Sequence, residues 1–238
     1  MTIWPHPIRA CIFDNDNTLV DTDGAYEEAH YITTGHKQTL DLKLKLSGVT
    51  LLEGSSIVIN EYHLDETPMH YAKRFEDTLQ KLLCNTKLMP GVFELLHELK
   101  RLNIKMCIAT AASSSSFEKK ISNHHDLMEM MDHYITGDLV KHGKPAPDIF
   151  LMALDKWNHE KVPVKNDEAL VFEDSPLGVK AANNAGMPVV FIPNPLVDVE
   201  KVLAEYEIHP TLTIKSLKDF DFSKFIWEGD ENVIKEKK

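Results

Sequence analysis

The chain has 238 residues, a length that suits one large domain or one domain with an insertion. Lys and Arg number 26 and Asp and Glu number 37, which gives a formal net charge of -11 with no basic run. This balance argues against a nucleic-acid-binding surface. It also indicates that any phosphate chemistry needs a divalent cation to offset the excess of negative charge.

No apolar stretch reaches membrane-spanning length, and the opening residues lack the charged and apolar regions of a signal peptide. We therefore expect no membrane partner and a cytoplasmic protein, with entry into the nucleus by diffusion as the alternative. We also expect a monomer or a weak dimer. The cysteines Cys11, Cys84 and Cys107 lie far apart, and we expect reduced core residues rather than a disulfide framework.

Short β-rich runs alternate with helical patterns along most of the chain, which predicts an α/β fold built on a parallel sheet. Between Met89 and Asn103 the leucines follow the spacing of an amphipathic crossover helix. Right-handed crossovers bring the carboxyl ends of the strands to one edge of the sheet, where ligands bind in such folds. The expected strands span residues 10–14, 105–111, 133–136, 169–173, 188–192 and 211–214.

Residues 23–87 break this alternation, because they are helical in pattern and offer no convincing strand. We interpret them as a helical cap inserted into a discontinuous core that consists of residues 1–22 and 88–227. A plain surface insertion is the alternative. The charged residues 228–238 are predicted to be a disordered tail.

The first predicted strand ends in two carboxylates, Asp14 and Asp16, and Thr18 follows two residues later. Residues at i and i+2 of an extended segment point the same way, so both acids can face one cavity. Two like charges this close need a cation, a proton or an electrophile between them. The alternative is a strand that runs into an ordinary Asp/Asn turn.

Three later strand ends carry polar residues that the topology brings to the same edge. Thr110 and the backbone amides around Ala111 could hold phosphate oxygens, although serine-rich segments like the one that follows are usually loops. Lys144 lies in a proline-stiffened segment that could hold its ammonium against two anionic groups; a solvated surface lysine is the alternative. Asp174 lies where it could complete a cation site with Asp14.

Together these residues predict an enzyme that transfers a phosphoryl group through a covalent intermediate. Asp14 attacks phosphorus to form an aspartyl phosphate, while Asp16 protonates the leaving oxygen and later deprotonates the attacking water. Mg²⁺ is the expected cofactor, because it prefers few carboxylates together with waters and phosphate oxygens. Zinc would require histidine or cysteine, and none of the 12 histidines shows ligand spacing with these acids.

Four segments resemble the motifs of the haloacid dehalogenase superfamily, in the family's order: FDNDNTLVDT, IATAAS, GKPAPDIF and VFEDSPLGVKAANNAGMP. The resemblance covers nearly the whole chain and implies a Rossmann-like core with the small helical cap of the β-phosphoglucomutase-like branch. The implied roles are nucleophile for Asp14, acid/base and main-chain Mg²⁺ ligand for Asp16, phosphate contacts for Thr110 and Lys144, Mg²⁺ ligand for Asp174 and orienting partner for Glu173.

Within that branch, residues 88–113 and 133–157 are most similar to pseudouridine-5'-phosphatases and to related phosphatases of sugar and polyol phosphates. The resemblance therefore implies a phosphoric monoester hydrolase that acts on a small phosphorylated metabolite. A β-phosphoglucomutase-like phosphotransferase is one alternative, but residues 46–52 offer leucines where mutases place an arginine for a second phosphate. A non-catalytic binding module is the other, motivated by Asn17, which stands where the family usually has glycine.

Substrate identity depends on the cap, because the core motifs handle only the phosphate and the metal. The candidate readers of the leaving group are Ser47, Thr50, Glu53 and the polar residues near His63. In the core, Ala112 stands where many relatives of the resembled family have a second hydroxyl, so one polar contact to the substrate or phosphate is missing.

Overall fold

The computed structural model describes residues 2–46, 51–158 and 163–228 of the chain. The chain divides into two compact units. One unit consists of Met1–Val20, Leu88–Glu118 and His124–Lys238 and contains the parallel sheet. The other consists of Asp21–Lys87 and Lys119–Asn123 and is mainly helical.

All six predicted strands are present, and their ends differ from the prediction by at most one residue. Four two-residue strands were not expected from the sequence. In chain order the strands are β1 (Pro7–Ile8), β2 (Ala10–Phe13), β3 (Val20–Asp21), β4 (Lys87–Leu88), β5 (Lys105–Thr110), β6 (His133–Thr136), β7 (Ala169–Glu173), β8 (Val189–Phe191), β9 (Leu212–Thr213) and β10 (Ile226–Trp227).

The main sheet has six strands in the order β6-β5-β2-β7-β8-β9, and every neighbouring pair is parallel. This confirms the predicted α/β fold. Strand β2 is central, and its last residue, Phe13, lies beside Ile108 of β5 and Phe172 of β7. Because the strands are parallel, the carboxyl ends of β2, β5 and β7 meet at one edge, where the polar residues of interest follow.

In the unit that contains the sheet, the helices surround the sheet. In the helical unit, the helices pack against one another. The predicted amphipathic crossover is confirmed, since it buries an apolar face that includes Val92 and Leu96. The helices are α1 (Thr22–Thr34), α2 (Leu40–Leu46), α3 (Leu51–Tyr62), α4 (Pro68–Leu83), α5 (Val92–Arg101), α6 (Ser114–Lys120), α7 (His125–Met128), α8 (Asp148–Asp155), α9 (Pro176–Asn184) and α10 (Val199–Tyr206).

The sheet is buried on both faces, as parallel sheets are when helices cover them. Every residue of β2 and β7 is buried. The Phe13 and Phe172 rings stack with their centroids 4.9 Å apart, directly beneath the edge at which both strands end. This close packing gives the residues that follow the two strands a rigid base.

The helical unit is held by the packing of α1 and α3 against α4. Its apolar cluster includes Ala25 and Ala29 of α1 and Leu79 and Leu83 of α4. The expectation of no strand over residues 23–87 is wrong at the last position, because Lys87 begins β4, which pairs with β3.

The cysteines only partly follow the prediction. All three are free; Cys11 and Cys107 are buried in β2 and β5, as expected. Cys84, at the end of α4, is exposed, so the prediction that it belongs to the core is wrong. Among the helices of the described residues, none combines the length and the apolar character needed to span a bilayer.

Candidate active site

Asp14 is the first residue after β2, so the strand ends one residue earlier than predicted. Its backbone N–H continues the sheet pairing by donating to the Phe172 carbonyl at 2.9 Å. The side chain is almost completely buried. A carboxylate in such a position needs a partner of opposite charge.

Lys144 provides that partner. Its Nζ lies 2.6 Å from Asp14 Oδ1 and 2.5 Å from Glu173 Oε1, and it also donates to the Ala109 carbonyl at 3.3 Å. The Lys144 side chain is only 7% exposed, and its ammonium lies 5.0 Å from the centre of the Phe150 ring. The structure therefore places this lysine against two anionic groups rather than at a solvated surface.

Glu173 is completely buried, and both oxygens of its carboxylate accept hydrogen bonds. Oε1 accepts from Lys144, while Oε2 accepts from the backbone N–H and the hydroxyl of Ser175, each at 2.9 Å. Ser175 also caps α9, because its hydroxyl accepts from the Gly178 N–H at 3.1 Å, with Pro176 in the first turn as predicted. One carboxylate thus links the start of α9 to Lys144.

Burial, together with neighbouring carboxylates, disfavours the ionisation of Asp14 and Asp174. Burial raises the pKa of Asp14 to about 7, opposed by Lys144 and reinforced by Glu173 and Asp16. Burial raises the pKa of Asp174 well above its usual range, and the charges of Glu173 and Asp14 add to the shift. For Lys144, burial opposes the charged form, but Asp14 and Glu173 prevail and raise its pKa. The negative charge of these carboxylates therefore exceeds the positive charge that Lys144 supplies.

Asp16 and Thr110 also meet at this edge. The Thr110 hydroxyl is buried at the end of β5 and lies 3.4 Å from Asp16 Oδ2, and it accepts from the Ala112 N–H at 3.1 Å.

Asn17, next to Asp16, has a φ of 56°. This is the left-handed conformation that glycine adopts most readily and that asparagine tolerates. Its N–H donates to the Val20 carbonyl at 2.7 Å.

The donor set at this edge suits a cation that prefers oxygen ligands. Within the described residues, no group of three or more His, Cys, Asp and Glu side chains is already arranged to hold a metal ion. Mg²⁺ does not require such a cage, because it usually takes one or two carboxylates together with waters and phosphate oxygens. Burial is the main reason why the pKa values of Asp14 and Asp174 are raised, and neighbouring carboxylates add negative charge that a divalent cation would offset. The residues present therefore fit Mg²⁺.

Of the predicted residues, Asp14, Lys144 and Glu173 form one ion-paired chain, and Thr110 contacts Asp16. Asp174 interacts with Asp14 through charge, and Ala111 is exposed just beyond β5. These predicted residues therefore gather at a single edge of the sheet.

Sequence reasoning missed the role of Gly178, where a Cβ would overlap the Glu173 carboxylate. It also missed Asp138, whose carboxylate accepts hydrogen bonds from Ser114. Their only signals in the sequence were a glycine three residues after an N-cap serine and an acid just after a strand. Neither signal is specific by itself.

Residues 11–192 match the family model described as haloacid dehalogenase-like hydrolase. The chain is 34% identical over 224 residues to the "Probable pseudouridine-5'-phosphatase" of Drosophila melanogaster. The alignment covers 92% of this chain and 94% of the fly protein. The chain is 37% identical over 199 residues to "(DL)-glycerol-3-phosphatase 2" of Arabidopsis thaliana, covering 81% and 82% respectively. A solved structure of a "putative beta-phosphoglucomutase" from Thermotoga maritima matches with a TM-score of 0.72 and 30% identity, over 96% of this chain and 99% of that one.

These matches and the fold point in the same direction. The family model spans well over half of the chain, and the fly protein aligns along nearly all of it. The matched region includes β5, β7 and all of β2 except its first residue, and the ends of these strands carry the residues described above. The chain belongs to the haloacid dehalogenase-like hydrolase family and, within it, to the phosphoric monoester hydrolases.

Proposed function

We propose that the protein is a Mg²⁺-dependent phosphatase that hydrolyses a small phosphorylated metabolite through an aspartyl phosphate on Asp14. The observation that carries this proposal is the buried chain of Asp14, Lys144 and Glu173, with contacts of 2.6 and 2.5 Å to the lysine Nζ. Such a chain holds a carboxylate and an ammonium together where phosphate would bind. A merely structural ion pair would have no need of the further acids at the same edge.

Asp14 acts as the nucleophile in this proposal. A bond forms between a carboxylate oxygen of Asp14 and phosphorus, while the bond between phosphorus and the leaving oxygen breaks. The reaction needs ionised Asp14, and although burial raises its pKa to about 7, the adjacent Lys144 favours the anion. The same ammonium can then contact the oxygens of the transferred phosphoryl group.

Asp16 acts as the general acid and then as the general base. It donates a proton to the leaving oxygen in the first step, and it accepts a proton from the water that attacks the aspartyl phosphate in the second. Its contact with the Thr110 hydroxyl, at 3.4 Å, restricts its orientation while Thr110 remains close to the phosphate position. The amide of Ala111, which follows Thr110, is a further candidate for a phosphate oxygen.

Asp14, Asp174 and the backbone carbonyl of Asp16 are the groups that would hold Mg²⁺. When bound, the ion neutralises charge on the phosphate oxygens during transfer. Glu173 serves a different purpose, because both of its oxygens are already used by Lys144 and Ser175. It keeps Lys144 in place rather than binding the ion.

The names of the relatives, pseudouridine-5'-phosphatase and glycerol-3-phosphatase, favour a substrate that carries one phosphate. Among the predicted cap readers, Glu53 lies in the first turn of α3 and His63 lies just after that helix. Ser47 and Thr50 lie outside the described residues.

The test is release of phosphate from a metabolite panel in Mg²⁺, with pseudouridine 5'-phosphate, glycerol 3-phosphate and hexose monophosphates as its main members. The expected result is turnover of at least one member by the wild-type protein and none by Asp14→Asn. Fluoroberyllate, which mimics a phosphoryl group on an aspartate, should bind and inhibit the wild-type protein and should not bind Asp14→Asn. Release by Asp14→Asn at the wild-type rate would exclude the proposal.

The phosphotransferase alternative is supported by the structural likeness to the Thermotoga protein. It predicts interconversion of glucose 1-phosphate and glucose 6-phosphate without net release of phosphate. The same panel separates the two activities when the sugar phosphates are followed by chromatography. Interconversion faster than hydrolysis would replace the phosphatase proposal with a mutase.

A further inference from the structure

Two segments that follow neighbouring strands are tied together beside the proposed active site. Residues 110–114, which we call the phosphate loop, connect β5 to α6, and Gly137 and Asp138 follow β6. The two strands are parallel, with Thr110 opposite Thr136. Both segments therefore emerge at the same edge of the sheet.

Gly137 packs directly on the backbone of the phosphate loop. Its N–H donates to the Ala112 carbonyl at 2.8 Å. A Cβ at this position would overlap the Ala111 carbonyl oxygen and would lie 2.8 Å from the Ala111 carbonyl carbon. Any residue other than glycine would therefore have to displace backbone of the phosphate loop, because no flexible side chain is there to move aside.

Asp138 holds the far end of the same loop. Its carboxylate accepts from the Ser114 N–H at 3.1 Å, and both of its oxygens lie within 3.0 Å of the Ser114 hydroxyl. The Ser114 hydroxyl also lies 2.9 Å from the Thr136 hydroxyl. Hydrogen bonds from Thr136 and Ser114 lower the pKa of Asp138, so its carboxylate is ionised at neutral pH and these bonds are charge-assisted.

These contacts determine which way the peptide groups of the phosphate loop face. In a trans peptide the carbonyl and the N–H point in opposite directions. Because the Ala112 carbonyl is directed at Gly137, the N–H of the next residue, Ser113, is directed away from it. In the strand order β6-β5-β2, the side away from β6 is the side of β2, which Asp14 follows.

We propose that Gly137 and Asp138 form a clamp that orients the phosphate loop, with Asp138 as a positioning residue for phosphate binding and transfer. This inference rests on the proposed phosphatase function. Asp138 is itself exposed, and exposed charged groups contribute little to stability. Loss of the clamp should therefore reduce phosphate binding and turnover far more than it reduces thermal stability.

The test compares Asp138→Ala with Asp221→Ala. Asp221 is a matched control, because its exposed carboxylate also accepts from the N–H and the hydroxyl of a serine, Ser223, at 3.0 and 2.7 Å. We measure kcat/KM, inorganic phosphate affinity by calorimetry in Mg²⁺, and Tm for each variant. Asp138→Ala should lose about tenfold or more in kcat/KM and in phosphate affinity, whereas Asp221→Ala should change either by less than about twofold.

Ser114→Ala provides an independent check, because the clamp acts through that residue. Its effect on kcat/KM should not add to that of Asp138→Ala in the double variant. Asp138→Asn, which keeps an acceptor for the Ser114 N–H, should recover part of the activity. Equal behaviour of Asp138→Ala and Asp221→Ala in all three measurements, or fully additive effects with Ser114→Ala, would overturn the clamp.

Failure of the proposed function is distinguishable from failure of the clamp. If the wild-type protein binds inorganic phosphate but hydrolyses no ester, the phosphatase proposal fails, and weaker phosphate binding by Asp138→Ala still supports the clamp. If the wild-type protein hydrolyses esters and Asp138→Ala does so equally well, only the clamp fails. A wild-type protein that does neither overturns both.

Discussion

Gly178 lies so close to Glu173 that no side chain fits between them. A Cβ on Gly178 would overlap both oxygens of the Glu173 carboxylate. That carboxylate receives the Ser175 N–H and hydroxyl on one oxygen and the Lys144 ammonium on the other. Helix α9 can begin this close to the end of β7 only because residue 178 is glycine.

We expect Gly178→Ala to damage activity through Glu173. The added methyl group would push the Glu173 carboxylate away and loosen its hold on Lys144, so kcat/KM for phosphate release should fall about 100-fold or more. Overpacking at a buried site should also lower the free energy of unfolding by about 1–3 kcal/mol. Steady-state kinetics and urea denaturation measure the two effects.

The control for this substitution is Gly143→Ala. A Cβ on Gly143 would meet nothing within 4 Å, so its free energy of unfolding should stay within about 0.5 kcal/mol of the wild-type value. If Gly178→Ala is as stable as Gly143→Ala and retains full activity, the contact with Glu173 does not restrict the site.

Much of the sheet and its active edge could be predicted because the information is local. Each strand of the main sheet is a short apolar run, and the acids at Asp14 and Asp174 follow such runs directly. The two-residue strands β1 and β10 could not be predicted, because they pair with each other from opposite ends of the chain. A run of two residues carries no periodicity to recognise.

Asn17 should behave as a glycine substitute rather than as a defect. Its φ of 56° is accessible to asparagine and disfavoured for β-branched residues. Asn17→Gly should keep the free energy of unfolding within about 1 kcal/mol and kcat/KM within about threefold of wild type. Asn17→Val should lose about 2 kcal/mol of stability and most of the activity, measured by denaturant unfolding and phosphate release.

A substitution at Asn103 is the control that distinguishes backbone strain from an effect on the active site. It has the same φ of 56° and lies in the turn between α5 and β5. Asn103→Val should lose as much stability as Asn17→Val while keeping kcat/KM. Equal losses of activity in both variants would mean that Asn17 acts through general stability only.

The pH dependence of stability should report on Asp14. Its pKa is raised to about 7 by burial, against about 4 in the unfolded chain, so between these values the folded protein binds more protons than the unfolded protein. Stability contributed by this group therefore falls as pH rises from 4 to 7, by at most about 1.4 kcal/mol per pH unit. In chelator-treated protein, Asp14→Asn should flatten the decrease in Tm between pH 5 and pH 8.

Added Mg²⁺ should act in the opposite direction. The ion binds carboxylates that have lost their protons, so it should raise Tm more at pH 8 than at pH 5.5. Asp14→Asn and Asp174→Asn should both reduce this rise, as thermal shift assays with increasing Mg²⁺ can measure. A rise that is independent of pH and unchanged in both variants would contradict a site at these acids.

Several contacts of the site connect distant stretches of sequence. Lys144, which was predicted, contacts Asp14 across 130 positions, and Asp138, which was missed, contacts Ser114 across 24. A sequence pattern identifies that a lysine or an acid is available, but only the strand order places it against its partner. For this reason the reactive groups were easier to predict than the residues that hold them.

His30 should give the helical unit a pH dependence of opposite sign to that of Asp14. It is buried in α1, with Nε2 3.2 Å from the Tyr62 hydroxyl of α3, and burial together with His36 lowers its pKa. The unfolded chain therefore binds more protons near pH 6, so stability contributed by His30 is present above its unfolded pKa and lost as pH falls. His30→Gln should reduce the loss of Tm between pH 7 and pH 5, whereas His125→Gln, at an exposed position of α7, should not. Identical pH profiles for the two variants would show that His30 does not control this transition.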